Sequence, residues 1–398
     1  MARPSAKSPQ LMRQMNARLV ARFALDADEF TAADAMAATD LTRATVLGVC
    51  ADLVAAGWLE ERADSRAAGL TSKGRPARRY RLRTAAGAIV GLDADEHRYV
   101  AHVTDLRGSL LGSVHAPIGG RDIGPAGRVE AARSAIRDAV IAAGRSPDDV
   151  LLTVVGIPAP ADASGRSPEG DGGFWSLMNA HLADALDGTV IVENDANLAA
   201  LAESAASDDG LGENVATLLT GERLGAGLIV DGRLLRGPRG GAGEMRFLRL
   251  IFPEEHATDG AGALARRWAR EAVLATDEPS ALRAIDADRI EAEDVLEAAR
   301  AGDPLAQRII DRLGERLARV AFALGSLLDV EKVVVCGAIA ASLAPVLDVA
   351  RRILDTAYEP PVPELVPSAL GGDVVVRGAI ERGRTSIQQD PLAFLPGG

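Results

Sequence analysis

The most restrictive part of this sequence is a change from a strand pattern to a helix pattern within residues 189–203. Residues 189–192 are the β-branched run of a buried strand, which ends abruptly at the polar residues Glu193, Asn194 and Asp195. A helix pattern rich in Ala and Leu follows from residue 196. Ligands of open α/β sheets bind beyond the carboxyl ends of strands, so the Asp195 carboxylate could accept a proton from a bound hydroxyl or hold it. The alternative is that Asp195 only caps the helix.

Strand and helix patterns alternate through the chain from residue 84 onward, which predicts an α/β body with mostly parallel central strands. We predict a first lobe over residues 84–205 and a second over 206–398. The predicted strands are residues 88–92, 99–105, 110–114, 150–156, 189–192, 214–219, 225–230, 332–336 and 374–376. The predicted helices are residues 125–143, 180–186, 196–203, 261–276, 303–328 and 378–386.

The first 83 residues have a different organisation, three helices followed by a hairpin. Apolar spacing predicts helices over residues 11–25, 32–38 and 43–56, with Thr31 and Thr42 as the N-caps of the second and third. Gly57 ends the third helix, and a strand, a basic loop and a returning strand complete the segment. This order predicts a winged helix-turn-helix domain over residues 1–83.

Charge separates this domain from the body. Residues 1–83 hold 14 Lys and Arg against 9 Asp and Glu, a net of +5 within a chain whose net charge is −12. We expect the N-terminal turn of the third helix to face DNA bases through Thr42, Arg43, Thr45 and Val46. Arginines of the wing would contact phosphates or the minor groove. The basic residues assigned to the wing are Lys73, Arg75, Arg78 and Arg79. The alternative is a basic helical domain that binds protein.

Composition predicts the compartment and excludes several classes of protein. No stretch is apolar enough to span a membrane, and the N-terminus lacks the apolar core of a secretion signal. Cys50 and Cys336, the only cysteines, are predicted to be buried free thiols, as suits a reducing cytoplasm. Two cysteines also exclude a zinc site built from several of them.

The sequence resembles the ROK family of bacterial sugar-responsive repressors and sugar kinases over nearly its whole length. Segments spread along the chain carry the resemblance together, although each alone is unspecific. They are Gly74-Arg75-Pro76, Ile89-Val90-Gly91-Leu92-Asp93, Gly156-Ile157-Pro158-Ala159-Pro160, Glu193-Asn194-Asp195-Ala196-Asn197, Leu224-Gly225-Ala226-Gly227-Leu228-Ile229 and Gly232-Arg233-Leu234-Leu235-Arg236-Gly237 through Gly243-Glu244. The resemblance implies a two-lobed actin-like body with the ribonuclease H-like fold of sugar kinases.

The phosphate-binding segments depart from those of the family's kinases. Where the resemblance implies Asp-x-Gly-Gly-Thr around ATP phosphates, this chain has Asp93-Ala94-Asp95-Glu96-His97, with carboxylates in place of both glycines. A second phosphate loop keeps Gly225 and Gly227, and the adenosine-side Gly-Gly is reduced to Gly337-Ala338. We therefore expect no ATP-dependent kinase activity, no cofactor, and a vestigial catalytic base at Asp195.

The sugar-binding segments are preserved only in part. The resemblance implies that Asn194, Asp195 and Glu244 hydrogen-bond sugar hydroxyls, although Glu244 could also be a solvated loop carboxylate. Asp171 is the candidate to replace a missing Asn as an acceptor, and Trp175 is either a stacking surface for a sugar or a packing anchor. The family's cysteine-rich zinc motif is missing, and the His that precedes it is replaced by Phe247. We therefore predict no structural zinc.

Together these features predict a cytoplasmic DNA-binding transcriptional regulator, expected to be a repressor. Its partners would be an operator and a sugar or sugar-phosphate effector, and a homodimer or homotetramer would suit palindromic operators. Two alternatives stay open. One is a sugar kinase fused to a DNA-binding module, and the other is a ligand-independent scaffold whose body only dimerises.

Overall fold

The computed structural model describes residues 9–62, 78–119, 122–169, 173–207, 212–252 and 257–394. Within those ranges no helix combines the length and the apolar character that a bilayer span requires. Both cysteines are buried free thiols, as predicted.

The N-terminal module is a winged helix-turn-helix, which confirms the prediction. Its elements are α1 (Pro9–Asp26), β1 (Phe30–Thr31), α2 (Ala32–Thr39), α3 (Arg43–Ala55), β2 (Leu59–Arg62) and β3 (Arg79–Leu82). The three strands form an antiparallel sheet in the order β1-β3-β2. Thr31 and Asp34 form a reciprocal capping box on α2, and the Thr42 side chain caps α3 by accepting from the Thr45 amide.

The body contains two five-stranded sheets with the same topology. The first consists of β4 (Ala88–Ala94), β5 (Arg98–Asp105), β6 (Leu110–Pro117), β7 (Val150–Ile157) and β8 (Val190–Asn194). The second consists of β9 (Val215–Thr220), β10 (Leu224–Val230), β11 (Arg233–Leu234), β12 (Lys332–Cys336) and β13 (Glu364–Pro367). In both sheets the strands run in the order third, second, first, fourth, fifth. The first three strands pair antiparallel and the last two parallel.

Helices cover these sheets and connect the strands. They are α4 (Pro125–Ala142), α5 (Phe174–Asn179), α6 (Leu182–Ala185), α7 (Asp195–Ala206), α8 (Leu248–Ile251), α9 (Ala261–Ala275), α10 (Ala292–Arg300), α11 (Pro304–Leu328), α12 (Ala344–Ala357) and α13 (Val374–Gln389). The duplicated sheet with helical layers is the predicted two-lobed actin-like fold.

Two predicted elements were wrong. The run Val374–Val376, predicted as the last strand, is the first turn of α13, and the last strand is β13 instead. A short apolar run has the same appearance in a buried strand and a buried helix, so periodicity could not separate them. The helix predicted over residues 180–186 is only the four-residue α6, because Ala180 and His181, which separate it from α5, adopt positive φ angles of 48° and 54°.

The C-terminal helix α13 lies against the first sheet, although it follows the second in sequence. A Cβ at Gly378 would lie 1.8 Å from the Leu198 carbonyl oxygen, so only glycine allows α13 to cross α7 this closely. The far end of α13 contacts the N-terminal module. Gln388 donates to Asp26 at 3.0 Å, and Asp390 pairs with Arg18 at 2.7 Å.

Candidate functional site

The N-terminus of α7 is capped by Asn194, which leaves Asp195 as the first helical residue. The Asn194 Oδ1 accepts from the Asn197 amide at 3.1 Å, and its Nδ2 donates to the Ala159 carbonyl at 3.3 Å. Asp195 is therefore not the cap, and its Oδ1 accepts from the Ala196 amide at 2.7 Å. The side-chain amide of Asn194 is used within the protein, which leaves Asp195 as the more available of the two for a ligand.

Glu193, which the sequence analysis did not assign, connects the two lobes beneath this position. Its buried carboxylate accepts from Asn197 Nδ2 at 2.9 Å and from Arg236 Nε at 2.6 Å. Arg236 follows β11 of the second sheet, so the ion pair joins the end of β8 to the other lobe. A Glu at the end of an apolar strand is the signal that could have indicated a buried partner.

A cavity of about 570 Å³, including the solvent space at its mouth, opens at the N-terminus of α7 and is called the α7 cavity below. Asn194, Asp195, Glu244 and Trp175 all line it, so the structure brings together four of the five predicted ligand-binding residues. The fifth, Asp171, lies outside the described residues. Gly243, which precedes Glu244, has a φ of 82°, and an added Cβ would lie 1.8 Å from the Ala226 carbonyl oxygen. Only glycine therefore allows the backbone conformation that puts Glu244 on the cavity wall.

Trp175 is less accessible than a stacking platform for a sugar would require. Its side chain is only 4% exposed, and the Arg246 guanidinium lies 5.0 Å from the ring centroid. Arg246 and Arg249, which also line the cavity, were not singled out from the sequence. Because Arg carries nearly all of the positive charge in this chain, these two arginines did not stand out in the sequence as functional residues.

Burial raises the pKa of Asp195 to about 8. The neighbouring carboxylates of Asp95 and Glu244 act in the same direction, whereas the Ala196 amide and Arg223 oppose them. At neutral pH the Asp195 carboxyl is therefore mostly protonated. In that form it offers one donor and one acceptor to a hydroxyl group.

A second cavity, of about 670 Å³ including the solvent space at its mouth, adjoins the first and is called the β4–β5 cavity. Its acidic lining residues are Asp93, Asp95, Glu96, Asp195 and Glu222, and its basic ones are Arg98 and Arg223. Burial raises the pKa of Asp93 and of Asp95, with further contributions from neighbouring acidic groups. The lining offers a polyphosphate two guanidinium groups and five carboxyl groups, and each carboxyl that is ionised repels it.

In the loop between β4 and β5, the backbone N–H of Glu96 is not available to donate to a phosphate. The Glu96 amide donates to the Asp95 side chain at 2.6 Å. The fully buried Arg128 donates to the carbonyl oxygens of Asp95 and Glu96 at 3.3 and 3.1 Å. Internal contacts therefore hold this loop, and one of them uses the Glu96 N–H that would have to bind a phosphate.

The glycines retained in the predicted second phosphate loop have packing roles. A Cβ at Gly227 would lie 2.1 Å from the Ala196 carbonyl oxygen, and one at Gly225 would lie 3.1 Å from the Ala196 Cβ. Glycine here lets β10 approach the first turn of α7, which is a sufficient physical reason for its presence.

The start of α3 is a second site, on the opposite end of the chain. Thr42 and Arg43 are exposed and Thr45 is partly exposed, with the two threonine hydroxyls 2.9 Å apart. Val46 is fully buried, so the expectation that it faces bases was wrong. Residues three and four apart lie on the same face of a helix, and Val49 and Cys50 are buried. Val46 therefore packs inward with them.

The described arginines of the predicted wing are exposed and paired with acidic side chains. Arg78 donates to Glu61 at 3.2 Å, and Arg79 lies 3.6 Å from Glu29. Such surface pairs contribute little stability, so both guanidinium groups can exchange a carboxylate for a phosphate. Lys73 and Arg75 lie outside the described residues.

Comparisons with known proteins place this site in context. A profile described as the ROK family matches residues 89–381. A glucokinase of Halalkalibacterium halodurans is 31% identical over 164 residues, which cover 38% of this chain and 49% of that protein. The chain spans about half the length of the first curated relatives that it matches.

Two further relatives extend over most of the chain. A xylose repressor of Caldicellulosiruptor bescii is 22% identical over 338 residues, covering 82% of this chain and 83% of that protein. The crystal structure of a ROK family transcriptional regulator, a homologue of the E. coli MLC protein, superposes with a TM-score of 0.75 at 20% identity. That superposition covers 97% of this chain and 99% of the other, which shows a shared fold.

Proposed function

The chain belongs to the ROK family, and from that premise we propose that it is a sequence-specific DNA-binding transcriptional regulator that acts as a repressor. The observation that carries the proposal is the exposed N-terminal turn of α3 in a winged module that precedes the ROK-matching segment. Over most of its length this chain is similar to a repressor, whereas its likeness to the glucokinase covers 38% of the chain.

In the proposed DNA complex α3 enters the major groove by its first turn. Arg43 would reach a guanine, Thr42 and Thr45 would contact a base edge or phosphate, and Arg78 and Arg79 would contact the backbone. Lys73 and Arg75 are proposed to act with them. We expect a homodimer or homotetramer in the cytoplasm, so that two modules meet the two halves of an operator.

The α7 cavity is the proposed effector site, for a sugar or a sugar phosphate. Asp195, in its protonated form, and Glu244 would hold hydroxyl groups from two sides, with Asn194, Trp175 and Asp171 as supporting contacts. The acidic β4–β5 cavity next to it favours a neutral ligand over one that extends a polyphosphate in that direction.

Helix α13 runs from the β4–β5 cavity, which adjoins the proposed effector site, to the DNA-binding module. Its first residues, Val374 and Val375, line the β4–β5 cavity, and its last turn contacts α1 through Gln388. A helix of 16 residues extends about 24 Å. A ligand that favours one arrangement of the lobes would shift α13 and with it the DNA-binding module, provided that its affinity differs between the arrangements.

Selection of binding sites from a random DNA pool tests the proposal. The full-length protein should enrich one motif, and binding to that motif should survive excess competitor DNA. Arg43→Ala should abolish the enrichment while leaving the melting temperature unchanged. Equal binding of all sequences would contradict the proposal.

A sugar kinase is the second candidate, favoured by one observation. Asp195 occupies the position of a general base at the end of β8, within reach of a hydroxyl in the α7 cavity. Measurement of ATP turnover over a sugar panel, with Asp195→Asn as control, separates the two functions. If kinase activity is lost, as we propose, the wild-type protein and Asp195→Asn should both show only the background rate of ATP turnover. Turnover that depends on Asp195 would overturn the proposal.

A ligand-independent scaffold is the third candidate. Thermal-shift screening against sugars and sugar phosphates distinguishes it, because a specific ligand raises the melting temperature. Glu244→Gln should then lose the shift. A scaffold shows no shift with any member of the panel.

A further inference from the structure

Two of the five histidines in this chain converge with an acidic residue that is distant in sequence. His102 lies on β5, His115 on β6, and Asp373 immediately before α13. Their potential ligand atoms all lie within 4.8 Å of one another. Because histidines are so few, the approach of two of them to one carboxylate is a notable arrangement for a surface that has no other assigned role.

The strand register fixes the two imidazoles on one face of the first sheet. His102 pairs with Ser113 and Val100 with His115, so the histidines are diagonal neighbours across the β5–β6 ladder. Their ring centroids are 6.4 Å apart. Asp373 reaches the same face because the segment before α13 crosses the end of the sheet, where Gly372 accepts a hydrogen bond from Arg98.

The surroundings of the cluster suit a metal ligand better than an ordinary core histidine. His102 is only 7% exposed, and one of its ring nitrogens lies within 4.8 Å of a potential ligand atom of both His115 and Asp373. His115 is exposed, which leaves a solvent-facing side.

We propose that His102, His115 and Asp373 form a binding site for a divalent transition metal ion, with zinc as the best match. Two imidazole nitrogens and one carboxylate oxygen are a common protein ligand set for Zn²⁺, with water completing the tetrahedron. A tetrahedral site needs ligand atoms about 3.3 Å apart, so small side-chain rotations bring these three into range. None of the three residues is a cysteine, and none of them lines either cavity described above.

A bound ion would fasten β5 and β6 to the start of α13. Sequence reasoning missed this site because its ligands follow no motif. They come from three elements, one of which lies more than 250 residues from the other two.

Metal binding to the purified full-length chain, after removal of metal by a chelator, tests the proposal. Zn²⁺ is titrated by calorimetry, and Co²⁺ is followed by its visible absorption, which reports tetrahedral coordination. Wild-type protein should bind one equivalent of either ion. His115→Ala and Asp373→Asn should each weaken binding by more than about a hundredfold, since even loss of a residue behind a ligand costs 10–100-fold.

His181→Asn is the matched control. His181 is exposed, away from the cluster, and in a left-handed conformation that Asn adopts readily. It should bind metal as the wild type does. Because His115 is on the surface, its variant should melt at the wild-type temperature in EDTA and lose only the rise that zinc gives. Absence of wild-type binding, or equal binding by His115→Ala, overturns the proposal.

Discussion

Helices α3 and α7 both begin at a side-chain cap and both point their N-termini at open space, yet their surroundings carry opposite charge. The first residue of α3 is Arg43, and that of α7 is Asp195. The helix dipole favours an anion at the N-terminus of each of these two helices. At α3 the exposed cation adds to that preference, whereas at α7 the carboxyls of Asp95 and Glu244 oppose it. Charge around a helix N-terminus, more than the dipole, therefore decides which ligand it can take.

Arg43 is also the less expected of the two residues. A cation in the first turn of a helix is unfavourable in isolation, and such a local conflict is typical of a functional position. A negative charge on Asp195 would be stabilised by the helix dipole. Burial raises the pKa of Asp195 to about 8, so the carboxyl is mostly uncharged at neutral pH and gains little of that stabilisation.

The largest expected effect is at the start of α3. Arg43→Glu should weaken binding to the selected DNA motif by more than about a hundredfold, because it removes the proposed base contact and adds repulsion from phosphates. Fluorescence anisotropy at fixed salt measures this. Arg22→Glu, an exposed position on α1, makes the same change in net charge and should cost less than about tenfold. Equal losses would show that only overall charge matters.

The packing of α7 predicts the next largest effect. Gly227→Ala should lower the free energy of unfolding by about 1–3 kcal/mol, because its Cβ would collide with the Ala196 carbonyl. Gly241→Ala, where a Cβ would meet nothing within 4 Å, is the control and should be near neutral. Denaturant melts provide the measurement. If Gly227→Ala is as stable as the control, the glycine is not retained for packing.

The protonation of Asp195 predicts a dependence of stability on pH. The folded-state pKa, about 8, lies above the ordinary carboxyl value, so the unfolded chain loses the proton first as pH rises. Wild-type stability should therefore fall relative to Asp195→Asn between about pH 4 and pH 8. The difference should be at most about 1.4 kcal/mol per pH unit, and less because Asp195 retains some solvent contact. Melting temperatures of both proteins across this range should diverge, and parallel curves would refute the shift.

The smallest effect is expected on the exposed face of α3. A Cβ at Gly48 would meet nothing within 4 Å, so Gly48→Ala should stabilise the module by about 0.5–1 kcal/mol through helix propensity alone. Thermal melts should show a small rise in melting temperature. Destabilisation would mean that this face of α3 is covered by another part of the assembly.

The sequence predicted these two helix starts better than it predicted their surroundings. Thr42 and the strand-to-helix change before Asp195 follow local rules of capping and periodicity, which a linear sequence records. The Glu193–Arg236 pair and the return of α13 to the first sheet depend on contacts between distant segments. The run Val374–Val376 was assigned to a strand because its burial against two elements hides the helical period.

The candidate sites divide in the same way. Asp195 and Glu244 were placed in one cavity from motifs, and the structure brings them to one cavity. The occupied amide of Glu96 and the burial of Trp175 could not be inferred, because both depend on side-chain geometry. Lys73, Arg75 and Asp171 stay predictions, since they lie outside the described residues.

The most direct test is the affinity of the full-length chain for its selected operator between 50 and 200 mM salt, without and with a sugar that raises its melting temperature. We predict a steep fall in affinity with salt, of about a thousandfold if six or more phosphates are contacted. The sugar should lower the affinity by at least about tenfold at every salt concentration. Binding that shows no preference for the operator over competitor DNA would contradict the account.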